Sequence, residues 1–423
     1  MDIQGPAVGG QADSNSNFDV VIVGAGIAGG ALATALARSG ISVLLLEKSR
    51  FHQDRVRGES MVPWGVSEAV RLGVLDVLLA AGGHYTPIGV PYGEGVSTDS
   101  ARERAIDLRR LLPEVGGSLT FSHPRVCQAL NEGAQAAGAV LLRQVENIVV
   151  IPGSPPKITF VVDGQHREVV PRLVVGADGR GSTVARQIGA QIEVAPQHHL
   201  MAGLLIEDCE TWPAEEFAIG TEGDVTYYVF PQGKGRIRLY LCYGLDQARR
   251  FSGPGNAQKF LDAFRLSSLP NSDELAIAKP AGPCRGYPNA DTWIDLPHAP
   301  GVVLIGDAAG HNDPTIGQGL SISFRDARLV HEILRENNRW TDEIFIPFAE
   351  ERRERMRRLR LVGQQYSTLR VEFSELARAR RRRALERMAA DPTIALPLQA
   401  VFKGPYGLPD DAYEQAAWNR LLN

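Results

Sequence analysis

The sequence has few cysteines, all far apart, and no marked excess of either charge. Its four cysteines, at positions 127, 209, 242 and 284, are widely separated and form no CxxC motif. This pattern argues against a disulfide framework and against a zinc site, and it is typical of a reducing, cytoplasmic compartment. The 45 Lys and Arg residues against 49 Asp and Glu give a net charge of −4, so we expect no nucleic-acid partner.

The N-terminal stretch 1–17 lacks the basic start, apolar run and cleavage pattern of a secretion signal. Its Gly, Ser, Asn and Gln content predicts a flexible tail over residues 1–17. The whole chain is 44% hydrophobic and 22% charged, which excludes disorder throughout. A length of 423 residues fits roughly two or three domains.

One long uncharged stretch, 20–37 (VVIVGAGIAGGALATALA), has the hydropathy of a membrane span. Its local order favours a different interpretation. A β-branched run at 20–23 leads into Gly24-x-Gly26-x-x-Gly29, helix formers follow, and a second apolar run at 41–46 ends at Glu47. This strand, loop, helix and strand order predicts a dinucleotide-binding βαβ unit, and we expect no stable membrane span.

The residue types in this unit suit a bound nucleotide. Gly24 permits the tight turn, Gly26 lets a pyrophosphate approach the backbone, and Gly29 lets the helix pack on the strand. Free N–H groups at the helix start would hold the phosphates. Glu47, which ends the second apolar run, is placed to accept hydrogen bonds from the adenosine ribose. The motif alone does not separate FAD from NAD.

Two further loops repeat the pattern of a buried strand, an acid-bearing turn and a helix. Residues 172–176 (RLVVG) lead into ADGRGS at 177–182. Residues 301–305 (GVVLI) lead into GDAAG at 306–310, and GQG follows at 317–319. In an open α/β sheet such turns line one edge, where ligands bind.

Together the three motifs resemble the class A flavoprotein monooxygenases, the para-hydroxybenzoate hydroxylase family, over residues 18–335. The GDAAG…DP segment also resembles two related branches, the flavin-dependent halogenases and the geranylgeranyl-type reductases. Arg57-Gly58-Glu59-Ser60-x-x-Pro63 resembles both of these and also the squalene-epoxidase-like enzymes. Two positions depart from the family pattern. Gly310 precedes His311 where the family usually has His directly after GDAA, and Ser321 stands where it usually has Asn.

The resemblance implies an α/β fold: a Rossmann-like FAD-binding domain with an interleaved β-sheet substrate domain and a C-terminal helical segment. We expect the FAD-binding domain over 18–80, 120–190 and 285–340, the substrate domain over 81–119 and 191–284, and the helical region over 341–423. Within the substrate domain, 224–230 and 236–243 flank PQGKG and predict a hairpin. Ile237, Leu239, Leu241 and Tyr243 share one face of its second strand, with Arg236, Arg238, Tyr240 and Cys242 on the other.

The resemblance also implies the FAD contacts. Asp178 would touch both FAD and the reduced nicotinamide, and Asp307 would bind the ribityl hydroxyls. The helix N-terminus at Gly317–Leu320 would face the isoalloxazine ring, where its charge of roughly +0.5 would stabilise the anionic reduced flavin. The implied contacts are Gly24, Gly26, Gly29, Glu47, Lys48, Arg57, Arg125 (or a position two residues from it), Asp178, Asp307, Gly317, Gly319 and Leu320.

His311, Asp313 and Pro314 are the candidate catalytic residues, because their loop should lie nearest the reactive ring. Proton handling or substrate orientation is one interpretation of His311 and Asp313. The alternative is a polar pair that satisfies the loop backbone. His198-His199 lacks partners at metal spacing, so we expect no metal site.

The resemblance implies an FAD-dependent monooxygenase that uses NADH or NADPH and O2, through a flavin C4a-hydroperoxide, to hydroxylate or epoxidise an aromatic or apolar small molecule. A geranylgeranyl-type reductase or a flavin-dependent halogenase is the alternative, and a non-catalytic flavin- or nucleic-acid-binding protein is the weakest. The halogenase pattern WxWxIP is absent around Trp293. The segment 350–389, with 13 Arg and 6 Glu, predicts solvated helices with ion pairs along them.

Overall fold

The computed structural model of the protein describes residues 17–422. Residues 1–16 of the expected flexible tail therefore lie outside the described residues. The described strands are β1 Val20–Val23, β2 Val43–Glu47, β3 Ser60–Met61, β4 His84–Thr86, β5 Ile88–Val90, β6 Ile106–Asp107, β7 Ser118–Thr120, β8 Val140–Arg143, β9 Glu146–Ile151, β10 Lys157–Val162, β11 Gln165–Val169, β12 Leu173–Gly176, β13 Glu193–Val194, β14 His199–Glu207, β15 Glu216–Glu222, β16 Val225–Pro231, β17 Ile237–Gly244, β18 Lys279–Pro280, β19 Arg285–Pro288, β20 Thr292–Trp293, β21 His298–Ala299 and β22 Val302–Leu304.

The helices alternate with these strands in the first two thirds of the chain and follow one another after β22. They are α1 Ile27–Arg38, α2 Pro63–Leu72, α3 Leu75–Ala80, α4 Thr98–Glu103, α5 His123–Ala136, α6 Thr183–Gln187, α7 Asn256–Asp262, α8 Ser272–Ala276, α9 Gly319–Glu336, α10 Ile346–Arg370, α11 Glu375–Ala390, α12 Ala400–Lys403 and α13 Gln415–Leu422.

A six-stranded sheet in the order β21-β22-β12-β1-β2-β8 is the frame of the nucleotide-binding part. All its neighbouring pairs are parallel except β21 with β22. All four residues of β1 are buried, as expected of a strand covered on both faces. Helix α1 packs against α5 and α9 on one side of this sheet. The uncharged stretch at 20–37 is therefore a buried strand and helix, and no helix among residues 17–422 is long and apolar enough to cross a bilayer.

A second sheet joins β18, β14, β17, β16, β15, β5 and β6 in that order, with β19 paired to β14. It takes strands from both segments expected for the substrate domain, and β19 extends it past residue 284. The predicted alternation along β17 is confirmed: Ile237, Leu239, Leu241 and Tyr243 are in one buried apolar cluster, whereas Tyr240 and Cys242 are in another on the opposite face.

The C-terminal helices pack back onto both sheets. Helix α10 contributes Met356, Leu359, Val362 and Tyr366 to an apolar cluster with Trp64 of α2. The parallel sheet, the second sheet and these helices confirm the predicted α/β fold class with a C-terminal helical segment. All four cysteines are buried and unpaired.

Candidate active site

A large cavity of about 1120 Å³ lies where the parallel strands end and the second sheet begins. Its wall includes the ends of β1 (Val23) and β2 (Glu47), Ala177 directly after β12, and Asp307 in the turn after β22. Because parallel strands present their carboxyl ends at one edge, the three glycine motifs meet here. The sequence predicted this convergence from three segments far apart in the chain.

The first glycine loop is shaped by close packing at two positions and by open space at the third. A Cβ on Gly24, whose φ is +103°, would lie 2.4 Å from the Ala177 carbonyl oxygen, and one on Gly29 would lie 1.9 Å from the Gly24 carbonyl oxygen. A Cβ on Gly26 would meet nothing within 4 Å. Gly26 thus opens onto the cavity at the start of α1, whereas Gly24 and Gly29 are needed for packing.

Glu47 fixes this loop while keeping its carboxylate at the cavity wall. Its two oxygens accept hydrogen bonds from the backbone N–H of Ala25 at 2.9 Å and of Ser49 at 2.8 Å. The neighbouring Lys48 also lines the cavity. This arrangement leaves further lone pairs of the carboxylate for a ligand hydroxyl.

Arg180 of the second motif and Arg57 both act on Asp307 of the third motif. Arg180 Nε lies 3.2 Å from Asp307 Oδ2. Burial and nearby Arg180 lower the pKa of Arg57, while Asp307 opposes the shift. Arg57 and Arg180 thus offer two positive charges at this part of the wall to an anionic ligand. Asp178 is held by the Ser182 hydroxyl at 2.5 Å and by the Thr183 N–H at 2.7 Å.

The N-terminus of α9 points at the same cavity. Gly317, with φ +64°, and Gly319 would each place a Cβ in open space, and both line the cavity together with Leu320 and Pro314. An 18-residue helix presents unpaired N–H groups and partial positive charge at this end. Gln318 anchors the turn by accepting a hydrogen bond from Trp64 Nε1 at 2.7 Å.

Among the described residues, the cavity wall includes Asn312 and Pro314 but neither His311 nor Asp313. His311 Nδ1 is hydrogen-bonded to Thr292 Oγ1 at 2.9 Å. Burial lowers the pKa of His311 to about 4, and Arg180 adds to the shift. Asp313 Oδ2 lies 3.2 Å from His199 Nε2. Asp313 Oδ1 also accepts a hydrogen bond from the Thr315 N–H at 2.9 Å, which fits the alternative of polar side chains that satisfy the loop. A catalytic role of His311 and Asp313 stays a prediction.

Arg125 itself does not line the cavity in the described part of the chain, but positions two residues from it do. It is exposed on α5. His123 and Cys127, two positions before and after it, do line the cavity. The side chain of His123 bonds through Nδ1 to the Gly58 carbonyl oxygen at 3.0 Å.

Three residues that sequence reasoning missed form a buried polar group that reaches the cavity wall through Glu59 and Tyr240. Glu59 Oε1 pairs with Arg238 Nη2 at 2.5 Å, and the Tyr240 hydroxyl donates to Glu59 Oε2 at 2.5 Å. Arg238 also pairs with Asp54 at 2.6 Å, so one cation serves two carboxylates. Burial raises the pKa of Glu59 to about 7, opposed by Arg238 and by the Tyr240 hydrogen bond and supported by Asp54. The signal in the sequence that could have identified this group is the polar face of β17, which carries Arg238 and Tyr240.

The rest of the cavity is an apolar chamber, which we define by Met201, Phe217, Tyr228, Phe230, Tyr366 and Phe402. The centroid of the Phe230 ring lies 6.1 Å from that of Phe217 and 6.0 Å from that of Tyr228. The second sheet supplies Met201, Phe217, Tyr228 and Phe230, whereas α10 and α12 supply Tyr366 and Phe402. Such a wall excludes water and favours an apolar or aromatic ligand.

Buried arginines of α10 support the loop that carries Asp307. Arg352 donates to the carbonyl oxygens of Ala309 at 2.7 Å and Gly310 at 3.0 Å. Asp326 of α9 accepts from Arg352 Nε at 3.0 Å and from Arg355 Nη2 at 2.6 Å. Both arginines are at most 1% exposed. The expectation that this segment carries only solvated ion pairs is therefore wrong at these two positions.

The residues at the nucleotide-binding end fit FAD. Gly26, Gly317 and Gly319 leave space where a Cβ would otherwise stand, two helix N-termini supply N–H donors, and a carboxylate stands at each end of the site in Glu47 and Asp307. A phosphate-bearing, hydroxyl-rich ligand with an adjacent planar ring matches this donor and acceptor set.

Comparison with known proteins agrees with this geometry. A family model described as "FAD binding domain" matches residues 17–360. Squalene epoxidase 2, mitochondrial, of Arabidopsis thaliana is 24% identical over 330 residues, covering 77% of this chain and 55% of the relative. Digeranylgeranylglycerophospholipid reductase 2 of Methanopyrus kandleri is 26% identical over 338 residues, covering 75% of this chain and 77% of the relative. The chain spans little more than half the length of the plant epoxidase.

Among solved structures, p-nitrophenol 4-monooxygenase PnpA from Pseudomonas putida DLL-E4 has a TM-score of 0.76 at 18% identity, covering 91% of this chain and 98% of that chain. This likeness establishes a shared fold. The chain belongs to the family of the FAD binding domain, and FAD is the cofactor of that family. The resemblance inferred from the three motifs is confirmed.

Proposed function

We propose that the protein is an FAD-dependent monooxygenase that uses NADH or NADPH and O2 to hydroxylate or epoxidise an aromatic or apolar small molecule. The observation that carries this proposal is the continuity of the cavity: the nucleotide-binding end and the apolar chamber share one wall and one volume. When bound, FAD would accept a hydride and deliver one oxygen atom from O2 to the substrate, and the protein would supply position and electrostatics.

We assign the cofactor contacts as follows. The start of α1 would hold the phosphates, Glu47 the ribose and Asp307 the ribityl chain. The N-terminus of α9 would stabilise negative charge on the reduced ring. Arg57 and Arg180 would offset the phosphate charge. In this assignment 18–80, 120–190 and 285–340 form the FAD-binding part, and 81–119 with 191–284 forms the substrate part.

The apolar chamber would orient the substrate and exclude water, which limits unproductive loss of peroxide. Glu59 is the proton-handling group that we propose in place of His311 and Asp313. It lines the cavity, and its carboxyl group can take up a proton near neutral pH because burial raises its pKa to about 7. The Tyr240 hydroxyl, also on the wall, donates a hydrogen bond of 2.5 Å to Glu59 Oε2 and orients this carboxyl group. The buried, unpaired cysteines support a reducing, cytoplasmic setting.

A flavin-dependent reductase is the second candidate, because the Methanopyrus relative named above bears that activity in its name. The two functions differ in their use of oxygen. With purified holoenzyme, NADPH or NADH and a panel of aromatic and isoprenoid compounds, a monooxygenase incorporates one atom of labelled O2 into product. Product formed under strict anaerobiosis, without label, would support the reductase and contradict our proposal.

A further inference from the structure

The apolar chamber contains one partly buried positive charge without an ion-pair partner. Arg370, the last residue of α10, lines the cavity. Its Nε is buried and has no hydrogen-bond partner, and among residues 17–422 no carboxylate forms an ion pair with its guanidinium. The guanidinium carbon lies 5.4 Å from the centre of the Tyr366 ring, which also lines the chamber.

Arg378, Arg380 and Arg381 of α11 each have a partner other than the cavity. Arg378 pairs with Glu375 at 3.1 Å, and Arg380 pairs with Glu372 at 2.6 Å. Arg381 donates to the Leu369 carbonyl oxygen at 2.9 Å. Glu375 and Glu372 are thus paired with Arg378 and Arg380, and neither forms an ion pair with Arg370.

The backbone of Arg370 is held rigidly. Its carbonyl oxygen accepts hydrogen bonds from the hydroxyls of Thr221 at 3.0 Å and Thr226 at 2.5 Å. These two threonines belong to β15 and β16, the strands that also supply the aromatic wall. The α10 terminus is thus fixed to the chamber wall, which sets the point from which the Arg370 side chain extends.

A guanidinium withdrawn from water without an anion is costly, and a planar carboxylate satisfies it with two parallel hydrogen bonds. The carboxylate of Glu59, on the same cavity wall, is already paired with Arg238. We propose that the substrate of this chamber is an apolar molecule that carries a carboxylate, and that Arg370 binds this carboxylate. This inference rests on the proposed function and specifies its substrate class.

The test compares acids with their neutral primary amides on FAD-loaded protein. Benzoate, 2-naphthoate and dodecanoate, and the three corresponding amides, are titrated while the change in flavin absorbance is followed. We expect at least one acid to bind roughly tenfold or more tightly than its amide. Arg370→Gln should remove this preference while leaving amide affinity unchanged, and Arg370→Lys should retain part of it.

Two further variants locate the effect. Arg382→Gln, at an exposed position of α11 outside the cavity wall, should keep the preference. Arg104 also lines the cavity, but it is exposed to solvent. If Arg104→Gln loses the preference for acid over amide and Arg370→Gln keeps it, the proposal is overturned. It is also overturned by a wild-type protein that binds no acid better than its amide, or by an Arg370→Gln variant that only raises the KM for NADPH. Protein that retains no FAD contradicts the proposed function itself.

Discussion

Arg352 Nη1 donates a hydrogen bond of 2.7 Å to the Ala309 carbonyl oxygen, which joins the long C-terminal helix α10 to the loop that carries Asp307. A second nitrogen of the same guanidinium contacts the Gly310 carbonyl oxygen at 3.0 Å. The C-terminal helix therefore shapes the cofactor loop, although it lies outside the parallel sheet.

We expect Arg352→Leu to weaken FAD binding and to destabilise the protein by about 3 kcal/mol, because it removes the loop contacts and one partner of buried Asp326. Urea denaturation of the apoprotein measures stability, and fluorescence of released FAD measures affinity. Arg357→Leu is the control, since Arg357 is 51% exposed in its ion pair with Glu354, and it should change stability by no more than about 0.5 kcal/mol. Equal effects of the two variants would contradict the supporting role of Arg352.

The glycine loop allows cofactor binding to be separated from folding. Gly26→Ala should leave apoprotein stability within about 0.5 kcal/mol, because φ is −73° and the new Cβ meets nothing within 4 Å. It should weaken FAD binding about tenfold or more by filling the space for the pyrophosphate. Gly29→Ala should instead destabilise the fold itself, because its Cβ would lie 1.9 Å from the Gly24 carbonyl oxygen.

Apoprotein melting and FAD titration of both glycine variants test this division. A Gly26→Ala protein that binds FAD like the wild type would show that the ligand does not approach this position. A Gly29→Ala protein with unchanged melting would show that α1 packs less closely on β1 than described.

The βαβ unit could be predicted from sequence because all of its requirements are local. The spacing of Gly24, Gly26 and Gly29 between two apolar runs defines a turn and a helix start without reference to the rest of the chain. The alternation along β17 is local in the same way, because residues two apart in a strand share a face. Both predictions are confirmed.

The polar groups around the site form contacts between residues far apart in the sequence, and such contacts cannot be predicted from local sequence patterns. Glu59 and Arg238 are separated by 179 residues, and Ala309 and Arg352 by 43. A weaker indication existed for Arg352 and Arg355: they fall on the same helical stripe as Phe348, Leu359 and Tyr366. The glutamates interleaved in this segment favour a solvated helix, and they obscure the helical spacing of its apolar residues.

Glu59 should give the protein a measurable pH dependence. Its pKa rises from an ordinary 4.5 to about 7 in the folded chain. Between these values the folded chain holds a proton that the unfolded chain has released, so the free energy of unfolding falls as pH rises through this window. We expect Glu59→Gln to flatten this slope by up to about 1.4 kcal/mol per pH unit and to remove an ionisation near 7 from kcat/KM.

Urea denaturation at a series of pH values, together with steady-state NADPH oxidation, checks both parts. Glu386→Gln, at an exposed position of α11, is the matched control and should reproduce the wild-type slope. A Glu59→Gln protein with the wild-type pH profile would exclude Glu59 as the proton-handling group.

His311 and Asp313 provide the last prediction, because their geometry indicates structural roles. His311→Gln can keep the hydrogen bond to Thr292, so kcat/KM should stay within about threefold of the wild type, less than about 0.7 kcal/mol of barrier. Asp313→Asn should lower the free energy of unfolding by about 1–3 kcal/mol.

The Asp313 carboxylate should also make stability depend on pH. Burial acts to raise the pKa of Asp313, but contacts with His199 and Thr315 outweigh it and hold the pKa below its ordinary 3.8. The stabilisation by this carboxylate is thus present above that value and lost as pH falls, and Asp313→Asn should show weaker acid dependence. Urea denaturation across pH and steady-state kinetics measure both; a hundredfold loss of kcat/KM in either variant at unchanged stability would restore the catalytic interpretation.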